Sequence, residues 1–290
     1  MPAFHSVVLC ADDFGLADGV SRGIVELAAM GRLSATGAMT NMPGWWRAAA
    51  DLTPLKGRIG IGLHLNLTAG SPLGPMPNLV PSEGFPPLKE LLPKALGRGL
   101  EGVEIAREIG RQLDAFEEAH GEPPSFIDGH QHVHVLPVIR GALFRVLGER
   151  RYAGRVWLRD PSDKAAAILR RPIGRNKALI VKSLASGFSR SAHAAGFRTN
   201  KGFSGFAPLD LSVPASRVFE AAFSRLGEGP VIMCHPGHVD DELRSLDPAV
   251  ESRAAELAYL KSDAICDLLE ERGIRLVASP CRASTGSEGP

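Results

Sequence analysis

Short apolar runs alternate with longer stretches of helical period from the first residues of the chain to its end, and this alternation restricts the fold more than any other property of the sequence. Strand-like runs are read at Val7–Cys10, Ser34–Thr40, Ile59–Leu67, Ser125–Asp128, Val156–Leu158, Pro230–Cys234 and Ile274–Ala278. Helix-like stretches are read at Gly19–Met30, Glu101–His120, Pro137–Arg150, Lys177–Ala195, Ala215–Leu226 and Pro248–Arg272. Strands that alternate with helices of this length build βα units, and repeated units build a mainly parallel sheet. About seven units in 290 residues suit an α/β fold in the form of an irregular β/α barrel, with an open doubly wound sheet as second choice. The barrel places functional side chains at the C-terminal ends of the strands, where the βα loops begin.

With 44% apolar residues the chain can bury one large core, so residues 1–282 are expected to form a single domain. The Pro- and Gly-rich stretch 70–99 is too long for an ordinary connection. It reads as a lid or insertion over the site, or as an excursion covering part of the barrel. Residues 283–290 read as a disordered tail. A net charge of +1, from 33 basic and 32 acidic residues, argues against binding nucleic acid by bulk charge. The first residues lack the basic start and long apolar core of a signal peptide, and no apolar run approaches the ~18 residues of a membrane span. A cytoplasmic protein without a transmembrane segment is the expectation, with a homodimer as the default assembly. The four cysteines show no C-x-x-C spacing, and Cys10 and Cys234 lie in apolar runs that suit packing rather than catalysis.

Three of the strand ends carry residue types that bind metals. They are Asp12-Asp13, His64, and the run Asp128-Gly129-His130-Gln131-His132-Val133-His134. One carboxylate with two imidazoles is a mixed oxygen and nitrogen set that suits zinc in an open catalytic site. Adjacent carboxylates repel and lose hydration unless a cation, a substrate or a proton holds them. In a regular strand the two would point apart, so one metal cannot easily take both; one is left free as a base. His130, His132 and His134 share a side in an extended segment but span about 13 Å, so at most two reach one ion. Gly129 permits a sharp exit from the strand, which favours His130 as the ligand. His132 and His134 then line the pocket, support the ligands, or lie in a solvated loop.

A further strand end, Val231-Ile232-Met233-Cys234-His235-Pro236-Gly237, closes a buried run with an imidazole in a turn. His235 is a candidate to protonate a leaving group or stabilise an oxyanion, against the plainer reading of a turn histidine tied to backbone. Arg159 ends another strand and either binds substrate or orients a carboxylate.

Together these motifs resemble the YdjC-like carbohydrate deacetylases of the ChbG and HpnK type. The resemblance covers nearly the whole chain and rests on Ala11-Asp12-Asp13-Phe14-Gly15-Leu16, Gly60-Ile61-Gly62-Leu63-His64-Leu65, the 128–134 run and Cys234-His235-Pro236-Gly237. It implies an irregular β/α barrel that removes an N-acetyl group from an N-acetylated amino sugar with a divalent metal, Zn2+ first and Mg2+ second. By the same resemblance Asp13, His64 and His130 hold the metal and Asp12 is the catalytic base, with His235 proposed as the acid. Family members often carry Ser and a further His around the third motif, where this chain has Gly129 and Gln131. The segment 196–206, rich in Gly and aromatics, is placed near the sugar, with Phe203 or Phe206 stacking on a pyranose face or packing in the core. Arg159 and His132 complete the candidate substrate contacts.

Two other classes share some of these features. A non-haem Fe(II) oxygenase also uses two His and one carboxylate, and a non-catalytic sugar-binding protein could use a metal for structure alone. A retaining glycosidase is disfavoured on spacing, since consecutive Asp residues do not straddle a bond at the ~5 Å or greater separation required.

Overall fold

The computed structural model describes residues 5–82, 84–97 and 99–280, so the tail expected at 283–290 lies outside the described residues. Its strands are β1 (His5–Phe14), β2 (Ala35–Ala38), β3 (Gly60–Leu65), β4 (Phe126–Gly129), β5 (Trp157–Leu158), β6 (Arg198–Thr199), β7 (Phe203–Ser204), β8 (Val231–Cys234) and β9 (Ile274–Leu276). The helices are α1 (Asp18–Ala29), α2 (Pro43–Ala48), α3 (Leu88–Leu96), α4 (Gly102–His120), α5 (Pro137–Glu149), α6 (Ala165–Arg170), α7 (Arg175–Leu184), α8 (Phe188–Ala194), α9 (Ala215–Ala222), α10 (Asp241–Leu246), α11 (Glu251–Lys261) and α12 (Asp263–Glu271).

All strand pairs are parallel, in the order β6-β5-β4-β3-β2-β1-β8-β7. The strands are buried on both faces, as a parallel sheet covered by helices requires, and so they read as continuous apolar runs rather than alternating ones. β9 pairs with the first residues of β1, from His5 to Val7, and β8 takes over from Val8 onward.

The two edge strands are consecutive in sequence. β6 pairs with β5 and β7 pairs with β8, and only residues 200–202 separate them. The segment 198–204 is therefore one bent stave that meets one edge of the sheet at its start and the other at its end. Gly202, at φ +108°, makes the bend. Asn200 fixes it: its side-chain NH2 donates to the carbonyls of Asp160 and Gly202, and its Oδ1 accepts from Asp160 N–H. The sheet thus curls into the expected irregular barrel. Its seven staves differ in one member from the seven runs read in the sequence: 198–204 belongs to the ring, and β9 lies beside it.

Two long helical readings are broken in the structure. The 177–195 stretch divides into α7 and α8 at Gly187 (φ +75°), and 248–272 divides into α11 and α12 at Ser262. The excursion 70–99 contains α3, whose Leu88 and Leu92 reach the wall of the principal pocket described below. Among the described residues, no helix is long and apolar enough to cross a membrane.

Candidate active site

The end of β1 is not a regular strand. Between Ala11 and Phe14 this strand advances three residues while β2 advances two, from Thr36 to Ala38. The extra residue is accommodated by Asp13, whose φ of +71° lies in the left-handed region that non-glycine residues rarely occupy. A regular pleat would send Asp12 and Asp13 to opposite faces; the bulge brings both to one pocket.

That pocket, of about 680 Å³, opens over the C-terminal strand ends and is lined at its floor by Asp12, Asp13, His64, His130, His132 and His235. Asp13 Oδ1 lies 2.9 Å from His130 Nδ1 and 3.4 Å from His64 Nε2. The three side chains offer donor atoms that all fall within 4.8 Å of one another, a spacing that one metal ion can bridge. Burial opposes the charge on Asp13, but His130 and Arg253 outweigh it and hold the carboxyl well below its ordinary range.

His64 is aimed by the residue beneath it. Its Nδ1 meets Asp128 Oδ1 at 2.6 Å, which leaves Nε2 facing Asp13. Burial alone would lower this imidazole, yet Asp128 and Asp12 raise it to about 10. A glycine makes the pair possible: a Cβ on Gly37 of β2 would sit 3.1 Å from His64 Cβ and 3.3 Å from Asp128 Oδ1.

Asp12 faces a different partner. Its two oxygens accept from Arg159 Nη1 and Nη2, each at 2.7 Å, in a bidentate grip. The same Nη2 lies 2.6 Å from Asp128 Oδ2 as an ion pair, off the hydrogen-bond angle that would satisfy that oxygen. Arg159 therefore spans the carboxylates beneath the floor. It is fully buried and does not line the pocket. Cys10 lies in the same cluster. Burial raises its thiol well above the ordinary value, as it does for Cys234, so both remain protonated packing groups.

After β4 the chain turns sharply through Gln131 (φ +51°) and His132 (φ +61°), two consecutive left-handed residues that part the three histidines. His130 goes to Asp13. His132 packs edge-on against Phe203 and Phe206 at 5.8 and 5.5 Å and reaches the pocket. His134 turns inward and donates through Nε2 to the Arg159 carbonyl at 2.8 Å. Burial lowers His132 well below its ordinary value and His134 to about 4, so both are neutral. Phe203 and Phe206 are buried behind His132, and neither lines this pocket.

His235 lines the pocket at the end of β8. Burial lowers it to about 4, and its backbone N–H donates to Glu256 Oε2 at 2.6 Å. Glu256 is itself raised to about 7 by burial. On the same helix α11, Arg253 Nη2 donates to Asp13 Oδ2 at 2.7 Å and to Asp247 Oδ2 at 2.5 Å. Sequence reasoning missed both residues. A signal was available: Arg253, Glu256, Leu257 and Leu260 share the i, i+3, i+4, i+7 stripe, and charges placed on the apolar face of a helix need buried partners.

The sequence pattern described as YdjC-like protein matches residues 6–271. A chitooligosaccharide deacetylase of Enterobacter sp. (strain 638) is 31% identical over 272 residues, covering 93% of this chain and 96% of that protein. One from Yersinia pestis (strain Pestoides F) is 30% identical over 273 residues with the same coverage. Among solved structures, a candidate cellobiose-phosphate cleavage protein from Enterococcus faecalis V583 shares the fold with a TM-score of 0.69 at 24% identity, over 96% of this chain and 98% of that one. With the family pattern and these relatives spanning almost its full length, the chain belongs to the YdjC-like protein family.

Proposed function

We propose that this protein is a metal-dependent carbohydrate deacetylase that hydrolyses the acetamide of an N-acetylated amino sugar. The observation that carries this reading is the Asp13, His64 and His130 donor set beside a second carboxylate, Asp12, whose orientation is fixed by Arg159. The names of the relatives point the same way.

The donor set fits a divalent ion, zinc before magnesium, because two imidazole nitrogens with one carboxylate oxygen match zinc's preference and Asp128 directs His64 Nε2 inward. When bound, such an ion polarises the acetyl carbonyl and lowers the pKa of water towards about 7. Asp12 accepts the proton of the attacking water, and its bidentate contact with Arg159 keeps it from rotating towards Asp13. His235 is neutral at rest, so it acts as the acid only after receiving that proton, which it then passes to the departing amine. His132, backed by Phe203 and Phe206, offers a neutral edge to the sugar.

The deciding experiment is acetate release from a panel of N-acetylated amino sugars, with and without chelator. Chelator-sensitive release supports the reading. Bound metal with no release from any member of the panel rejects it for a sugar-binding role, and dependence on oxygen and a 2-oxoacid rejects it for an iron oxygenase.

A further inference from the structure

Arg159 and Arg253 are both fully buried arginines that hold an aspartate of the floor, but they hold it differently. Arg159 uses two nitrogens on the two oxygens of Asp12. Arg253 gives Asp13 a single contact, Nη2 to Oδ2, and shares that same nitrogen with Asp247. Its Nε and Nη1 are buried with no hydrogen-bond partner among the described residues. Leaving buried donors unsatisfied is costly, and a cation placed only to neutralise Asp13 would use its fork. The one-sided contact has a geometric result: Oδ2 is taken, and Oδ1 alone faces His64 and His130.

We propose that Arg253 is a positioning residue that confines Asp13 to one-oxygen metal coordination and ties the pocket wall to the metal site. The wall enters through Asp247, which lines the pocket with Pro248 and Ala249 and whose Oδ1 accepts from Ala249 N–H at 2.8 Å. Arg253 also anchors the turn after β8, since its carbonyl accepts from Gly237 N–H at 3.2 Å. Wall, Asp13 and the His235 turn thus meet at one residue, the first two at its side chain and the turn at its backbone carbonyl. The functional result is an open coordination position: a carboxylate free to bind through both oxygens would fill the place that water or the acetyl oxygen needs. This inference rests on the reading of Asp13 as a metal ligand.

The sign of the expected change separates positioning from structural support. In R253M the second oxygen of Asp13 is released and a neighbouring positive charge is removed, so zinc binds the apoprotein about tenfold more tightly while kcat falls by about tenfold or more and KM stays within about threefold. R253K keeps a point charge on Oδ2 and restores kcat to within about threefold of the wild type. The measurements are zinc titration of the apoprotein by calorimetry, circular dichroism, and kcat and KM for acetate release. Zinc affinity that falls or stays level in R253M while kcat drops overturns the positioning role and leaves the deacetylase reading standing. A wild-type protein that binds no zinc and no magnesium overturns both. If R253M does not fold, R253Q, which also removes the charge from Oδ2, decides on the same readouts: zinc affinity above the wild type with a lowered kcat supports the role, and affinity at or below the wild type overturns it.

Discussion

The floor and the wall of the pocket are made in opposite ways. At the floor, Asp12, Asp13, Asp128, His64, Arg159 and Arg253 hold one another through direct contacts of 2.6 to 3.4 Å, and most stand on strand ends. The wall is mainly aliphatic, with Leu88, Leu92, Ile180, Leu184, Leu209 and Leu246 drawn from helices and loops. Ile180 is 61% exposed and Leu246 40%, so the wall faces solvent where the floor excludes it. The difference assigns chemistry to the rigid part and fit to the adaptable part. A charge whose position is fixed before the reaction needs no reorganisation during it, whereas an aliphatic wall tolerates a change of shape.

The contrast is tested most severely at Asp12. Asp12→Asn removes the proposed base while keeping the shape of the floor, and kcat is expected to fall by about 10²- to 10⁴-fold with metal content unchanged. Full activity in this variant, measured by acetate release, breaks the assignment of chemistry to the floor at its centre. Next in size is the metal set. His64→Ala is expected to abolish stoichiometric metal by elemental analysis, and Asp128→Asn, which removes the charge behind the ligand's far nitrogen together with the ion pair to Arg159, to weaken metal binding about 10- to 100-fold.

The pH response sharpens the same point. His64 in the metal-free protein is raised to about 10, and a metal taking Nε2 must displace that proton. Metal affinity is therefore expected to rise with pH, by up to about tenfold per unit, and calorimetry in two buffers of different ionisation enthalpy should register proton release. Stability of the metal-free protein has the opposite slope on this side: the raised His64 contributes fully below its unfolded value near 6.5, and the contribution is lost as pH climbs through about 10. Asp13 and Asp128 are both depressed, so what they contribute is present above an ordinary Asp pKa and is lost as pH falls through their lowered values. Thermal melts across pH should show both flanks. The smallest effect belongs to the wall: Ile180→Ser is expected to move KM by less than about tenfold and leave kcat unchanged. A kcat effect as large as that of a floor variant would erase the distinction.

The ring of the barrel and its main site were largely legible because both depend on local signals. Strand runs are apolar where strands are buried on both sides, and Asp13, His64 and His130 each follow such a run. What escaped depended on irregular backbone or distant partners. Strands β6 and β7 have two residues each and, unlike the equally short β5 in Val156–Leu158, lie in no apolar run. The bulge that turns Asp12 and Asp13 to one pocket is a mismatch between β1 and β2, invisible in either strand alone. Phe203 and Phe206 offer sugar-stacking chemistry by type, but whether a ring is open or covered is settled by His132 packing against them. Arg253 finds its carboxylate 240 positions away, and no local pattern names that partner.

The bent stave 198–204 changes what kind of object this barrel is. A ring of strands joined only by hydrogen bonds has a seam like any other ladder, and its two edges can slip independently. Here both edges belong to one short piece of covalent backbone, clamped at Asn200, so the alignment of β5 on one side and β8 on the other is inherited from the same few residues. A one-residue insertion between Thr199 and Phe203 would displace one edge relative to the other. The distance around the mouth, from the strand carrying Arg159 to the strand carrying His235, is gauged by the length of a three-residue link.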